Sequence, residues 1–206
     1  MTGADLPFVW RPYGDLGVLL ELEDGVRAIE WCRAIQRSSL AATARPGWRS
    51  VLVTSSMAVA PLIEALSALR PADGPSVPAR EMEIRVVYDG EDLNDVAQRT
   101  GLGVHEVVAR HAAPAYTVVC LGFSRAFPYL SGLDPVLRLP RRDTPRVKVM
   151  AGSVAIARDQ TGIYPQSSPG GWHLLGRTAE RLFDERADPP SRLQPGDRVR
   201  FVPTAP

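Results

Sequence analysis

Downstream of residue 116 the chain is cut into short apolar runs, each closed within a few residues by glycine or proline. That punctuation limits the possible folds more than any other feature of the 206-residue sequence. Residues 116–123, 147–149, 153–157, 172–175 and 198–202 read as strands, the last one led in by a Pro195-Gly196-Asp197 turn. Many short strands with Gly/Pro turns imply a barrel or a sandwich. The first half is patterned differently. Strands are expected over 8–13, 18–21 and 49–54, and apolar residues at helical spacing predict helices over 26–37 and 58–69, where Pro61 is tolerable in the first turn. Strand, strand, helix, strand, helix suggests a small α+β sandwich. Residues 71–78 cluster proline, glycine and serine without offering a core residue, and read as a linker or long loop. Beyond it come a strand over 83–88 and two short helices over 92–99 and 104–111, separated by Gly101 and Gly103. The domain boundary is therefore expected between 1–80 and 81–206.

Apolar residues make up 45% of the chain and charged residues 23%, the balance of an ordinary globular protein. The net charge of +1 supplies no broad field to draw in nucleic acid or an anionic membrane. Lys148 is the single lysine; the other cations are arginines, whose planar fork bonds two carboxylate or phosphate oxygens at once. Cys32 and Cys120 are far apart and in no paired motif, so neither a disulfide framework nor a zinc site follows. The N-terminus lacks a basic-then-apolar signal pattern, and no apolar run approaches the roughly 20 residues that span a bilayer. A cytoplasmic location is the expectation.

Familiar catalytic signatures are missing. The sequence contains no phosphate-binding Gly-x-x-x-x-Gly-Lys-Ser/Thr loop, and the pattern begun by Gly101 and Gly103 does not complete a dinucleotide fingerprint. His105-Glu106 resembles half of a zinc-protease motif, but His111 lies six positions on, which puts the two rings on different helix faces. No Gly-x-Ser-x-Gly elbow occurs.

The informative segments are LGFSRAFPYLSGLDP, LPRRDTPRVKVMAGSVAIA, QTGIYPQSSPGGWHLLGRT and LQPGDRVRF, all between Tyr116 and Phe201. Together they resemble the PxpB family, the B subunits of 5-oxoprolinase, also called the KipI or allophanate hydrolase subunit 1 family. The likeness is loose in the N-terminal half and close after Tyr116. It implies an α+β fold class, with a small N-terminal α+β domain followed by a cyclophilin-like β-barrel. It further implies a protein that works with a homologous larger PxpC-like chain (subunit 2) and a third, PxpA-like protein. Such a complex opens the ring of 5-oxoproline to glutamate at the expense of ATP, and the sequence does not indicate which chain binds the nucleotide. Two other functions belong to relatives of this kind: inhibition of a histidine kinase by KipI, and a carboxyltransferase part of urea carboxylase.

Residue chemistry points to the same stretch. Ser168, Gly170, Gly171 and Trp172 combine a hydroxyl, bare backbone and an aromatic plate; adjacent glycines let N–H groups approach a ligand, or else mark a tight barrel turn. Arg141, Arg142 and Arg146 sit in a loop stiffened by Pro140 and Pro145 and suited to gripping an anion, with a solvated basic loop as the alternative. Arg141 and Arg146 match the family's two Pro-Arg elements. Tyr164 is a candidate hydrogen-bond donor to developing negative charge, or a barrel-end packing residue. His111 matches a family histidine and is a candidate general base, or a helix-end partner. The expected set is His111, Tyr164 and Arg146 for catalysis, and Arg141, Gly152, Ser153, Ser168, Gly170, Gly171 and Trp172 for substrate binding. Two positions depart from the family pattern. Arg125-Ala126 replaces Pro-Gly after Gly122-Phe123-Ser124, and Met150 replaces a proline before Ala151-Gly152-Ser153. The first change puts a Cβ into a turn that calls for glycine.

Overall fold

A computed structural model describes residues 8–41, 43–71 and 79–205. Apart from Pro71, the expected linker lies outside the described residues. The chain divides into two compact units, Met1–Ala79 and Arg80–Pro206.

In the first unit, β1 (Val9–Pro12), β2 (Gly17–Glu21), β3 (Thr43–Pro46) and β4 (Ser50–Thr54) form an antiparallel sheet in the order β1-β2-β4-β3. Alternation decides its inner face: Val18, Leu20, Val51 and Val53 are buried, and Val18 pairs with Val53 and Leu20 with Val51. Two helices complete the core, α1 (Gly25–Arg37) and α2 (Val59–Ala68). Asp24 starts α1 by accepting the Arg27 N–H at 2.8 Å, satisfying one of the open donors of the first turn. Trp31, Ile35, Leu62 and Leu66 fill the space between helices and sheet.

The second unit begins with β5 (Glu81–Val86), then α3 (Leu93–Thr100) and α4 (Val104–Ala112). Gly101 ends α3 in the left-handed conformation, at φ 71°. The rest is β: β6 (Tyr116–Gly122), β7 (Phe127–Ser131), a 3-10 turn (Pro135–Leu137), β8 (Arg146–Val149), β9 (Ser153–Ala157), β10 (Gln160–Ile163), β11 (Ser168–Gly170), β12 (His173–Arg177) and β13 (Arg198–Pro203). Seven of these strands make one sheet, in the order β12-β9-β10-β7-β6-β13-β5. Its two ends meet where Val87 and Arg177 exchange both backbone hydrogen bonds, at 2.9 and 2.8 Å, so the sheet curls into a nearly closed barrel. The α+β class and the barrel are as expected. The pairing of β13 with β5 is parallel, and Ile84, Val86, Val199 and Phe201 enter the barrel core from it. Among the described residues, strands β8 and β11 pair only with each other, as a ribbon apart from the seven-stranded sheet.

Four strands lie where none was expected: β3, β7, β10 and β11. Pro128 interrupts the strand signal of β7, yet fits because Pro128 pairs on the β6 side alone; β10 engages only Tyr129, Leu130 and Ser131.

Candidate functional site

A small recess opens beside the ribbon, with about 280 Å³ of empty space, part of it continuous with solvent. Its walls are Phe123, Phe127, Tyr129, Tyr164 and Trp172, together with the Gly170-Gly171 backbone and the side chain of Arg141. Phe127 and Tyr129 are two apart on β7 and so share one face. Phe127 is the hub, edge-on to Tyr129 at 5.0 Å between ring centroids, to Tyr164 at 5.2 Å and to Trp172 at 5.3 Å. Such edge-to-face pairs stabilise a rigid arrangement beyond the apolar area they bury. Below them Val149, Ala155, Ala157 and Leu174 complete a separate apolar cluster. The Tyr164 phenol is held above its usual range by burial, opposed by the Arg141 charge and a hydrogen bond from the Trp172 N–H. It keeps its proton at neutral pH and remains a donor.

Arg141 is exposed, and among the described residues no carboxylate pairs with it. Its neighbours in the loop are occupied differently. Arg142 and Arg146 both bond Asp92 Oδ1, at 2.6 and 2.7 Å, while Asp92 Oδ2 accepts the Leu174 N–H at 2.7 Å. Burial works against the charge on Asp92, but the bonds from Arg146 and Leu174 and the two guanidinium charges outweigh it and hold the carboxyl below its ordinary range. The Arg142 N–H also donates to the Gly171 carbonyl at 2.8 Å. One buried carboxylate thus ties the arginine loop to the start of α3 and to β12, leaving Arg141 at the recess without a carboxylate partner among the described residues.

Known proteins share this architecture. The family model for the carboxyltransferase domain, subdomain C and D, matches residues 8–193. The chain belongs to this family. The 5-oxoprolinase B subunit of Haemophilus influenzae is 50% identical over 126 residues, 60% of this chain and 59% of the relative. The protein of that name from Bacillus subtilis is 44% identical over 134 residues, 64% of this chain and 56% of the relative. The matched stretch therefore spans under two thirds of these curated relatives. Among solved structures, TTHA0988 superposes with a TM-score of 0.80 at 37% identity, covering 93% of this chain and 40% of the other. Urea carboxylase of Kluyveromyces lactis, at 20% identity and a TM-score of 0.74 over 98% of this chain and 22% of the other, shares the fold. The resemblance to the PxpB family is borne out.

Within this carboxyltransferase subdomain fold, the expected site residues separate into three groups. Tyr164, Arg141, Gly170, Gly171 and Trp172 come together at the recess. Gly152, Ser153 and Ser168 do not line it. Gly152 has φ 85°, its N–H bonds the Tyr164 carbonyl at 2.7 Å, and a Cβ there would lie 2.3 Å from the Thr178 carbonyl oxygen, so it serves barrel closure. Ser153 is buried in β9, and Ser168 Oγ bonds the neighbouring Pro169 carbonyl at 3.3 Å. Arg146 and His111 form the third group, which the structure sets apart from the lining of the recess. Arg146 is taken up by Asp92 and by Glu91 at 3.2 Å and does not line the recess, although its charge acts on the Tyr164 phenol from beside it. His111 is completely buried, stacked on Phe201 at 4.7 Å, with Nδ1 2.7 Å from Tyr88 Oη and Nε2 2.9 Å from Thr161 Oγ1. Burial pushes it down to about 3, and it does not line the recess.

Sequence reasoning missed Phe123, Phe127 and Tyr129 as site residues. The alternation of Phe127 and Tyr129 carried the signal, hidden by Pro128 between them. The Arg125-Ala126 departure falls in the same hairpin, where Phe123 and Ala126 both adopt φ 60°. Exposed Phe123 leans on Phe127 at 5.6 Å from that strained turn. Among the described residues no cluster of His, Cys, Asp and Glu is arranged to hold a metal ion, and no helix is long and apolar enough to cross a membrane.

Proposed function

We propose that this chain is a cytoplasmic component of an ATP-dependent 5-oxoprolinase, opening the lactam of 5-oxoproline to glutamate together with a PxpC-like and a PxpA-like chain. The observation that carries the reading is the unpaired Arg141 guanidinium at a small aromatic recess. The substrate is a five-membered ring bearing one carboxylate. Arg141 would grip that carboxylate through two N–H donors. The faces of Phe127, Tyr129 and Trp172 would enclose the ring, and the Tyr164 phenol would donate to the lactam oxygen as charge develops on it. The names of the relatives from Haemophilus influenzae and Bacillus subtilis support the substrate class.

The recess does not fit ATP. Its enclosed space falls well below the roughly 300–1,000 Å³ of ligand pockets, and it offers one guanidinium where a triphosphate needs several donors. The nucleotide would therefore bind outside this recess.

The test is reconstitution. Co-expressed with its two partner chains, this chain supports ATP-dependent formation of glutamate from 5-oxoproline, and omitting it abolishes the product. Undiminished activity of the two partners alone overturns the proposal.

A further inference from the structure

Arg141 has no carboxylate partner among the described residues, yet the backbone on both sides of it is fastened to residues 171–173, the stretch that carries Trp172 into β12. On one side the Arg142 N–H donates to the Gly171 carbonyl at 2.8 Å. On the other, His173 Nε2 lies 2.8 Å from the Pro140 carbonyl oxygen. A carbonyl only accepts, so Nε2 carries the hydrogen. The His173 side chain is completely buried, and its Nδ1 has no hydrogen-bond partner; the nearest carboxylate oxygen, Asp95 Oδ2, is 3.8 Å away. A buried polar ring that leaves one nitrogen unsatisfied is costly in an apolar surrounding, which a plain packing position would avoid with an apolar side chain.

We propose that His173 is a positioning residue for Arg141. Its Nε2–H fixes the Pro140 carbonyl and, with the Gly171 bond beyond, sets the direction from which the guanidinium meets a carboxylate in the recess. The inference rests on the reading of the recess as the 5-oxoproline site and adds to it the group that sets its specificity for an anion. A long, flexible arginine gains most from such bracketing, because rotamer freedom lost before binding is not lost on binding.

Two measurements test this. Long-range 1H–15N correlation spectra of the full chain should show His173 with Nε2 protonated; a bare Nε2 overturns the assignment. In the reconstituted complex, His173→Phe, which keeps a ring and removes the donor, should raise KM for 5-oxoproline roughly tenfold with little change in kcat. His173→Gln, which restores an N–H, should recover most of the loss. In an Arg141→Ala background His173→Phe should add nothing further, since the two act as one unit. An equal effect of His173→Phe in both backgrounds, or an unchanged KM beside a lowered thermal midpoint, makes His173 structural and overturns the proposal. If Arg141→Ala alone leaves KM unchanged, the reading of the recess fails and the positioning role falls with it.

Discussion

The hydroxyl of Tyr164 occupies the space where a side chain on Gly170 would begin: a Cβ there would lie 2.2 Å from Tyr164 Oη. Glycine at 170 is therefore a condition for the phenol to stand in the wall of the recess. Gly170→Ala must push the ring aside or bend the ribbon, at a cost of about 1–3 kcal/mol. The variant should fold with a lower thermal midpoint and bind 5-oxoproline less well, whereas Gly171→Ala, whose Cβ would meet Pro145 at an ordinary 3.5 Å, should be the milder of the two. Denaturation curves and calorimetric titration of both variants check the order.

Arg141 and Asp92 separate function from stability within one loop. Arg141→Ala removes an exposed, unpaired charge and should leave stability within about 0.5 kcal/mol, while ligand affinity falls tenfold to about a hundredfold. Asp92→Ala takes the carboxylate from Arg142, leaves Arg146 with exposed Glu91 alone and strands a buried N–H, and should destabilise the barrel by about 3 kcal/mol. Arg146→Ala should follow Asp92 in direction, lowering stability first and substrate use as a consequence. Equilibrium unfolding beside titration distinguishes the two classes.

Ala126 holds φ 60° between Gly122 and Phe127, a conformation that disfavours any Cβ. Ala126→Gly should stabilise the chain by up to about 1 kcal/mol after the greater backbone freedom of glycine in the unfolded state is set against the relief. A rise in the denaturant midpoint with unchanged slope is the expected result.

Buried His111 gives the barrel a pH dependence of definite sign. Its folded value, about 3, lies below the ordinary 6.5, so the unfolded chain binds the proton first. Stability is full above pH 6.5 and declines as the pH falls from there toward 3, by no more than about 1.4 kcal/mol per pH unit from this group. The Asp92 carboxyl, also held below its ordinary range, adds its loss only under more acidic conditions, near and below 3.8. Unfolding measured from about pH 8 to about pH 4 should show the decline, and His111→Gln should flatten it.

The elements legible in the sequence were those whose own pattern matched their surroundings. Helix α1 is amphipathic and begins at Asp24, and β2, β4 and β13 alternate buried and open positions. Strand β3 offers only Ala44 to the core, and β10 runs Gln-Thr-Gly-Ile, so neither carries a periodic signal; each is a strand because its neighbours supply the ladder. The recess divides in the same way. The glycine pair, Trp172, Tyr164 and Arg141 stand out by residue type. The aromatic hub Phe127 does not, because its role depends on β7 being brought beside β10 and on the tilt of four other rings. Arg141, Arg142 and Arg146 cannot be told apart from composition: which of them is free is decided by Asp92, far earlier in the chain.

The parallel register of Arg198–Pro203 along Glu81–Val86 joins segments far apart in the chain, and the barrel is not shut until both are present. During translation the sheet must therefore wait, seam open, while the intervening strands emerge from the ribosome. The Met1–Ala79 unit, whose strands pair only among themselves, is free to form in that interval. Removing the final strand would leave an open edge ready to recruit a neighbouring molecule, and such a truncation would end in aggregation rather than in a smaller soluble protein.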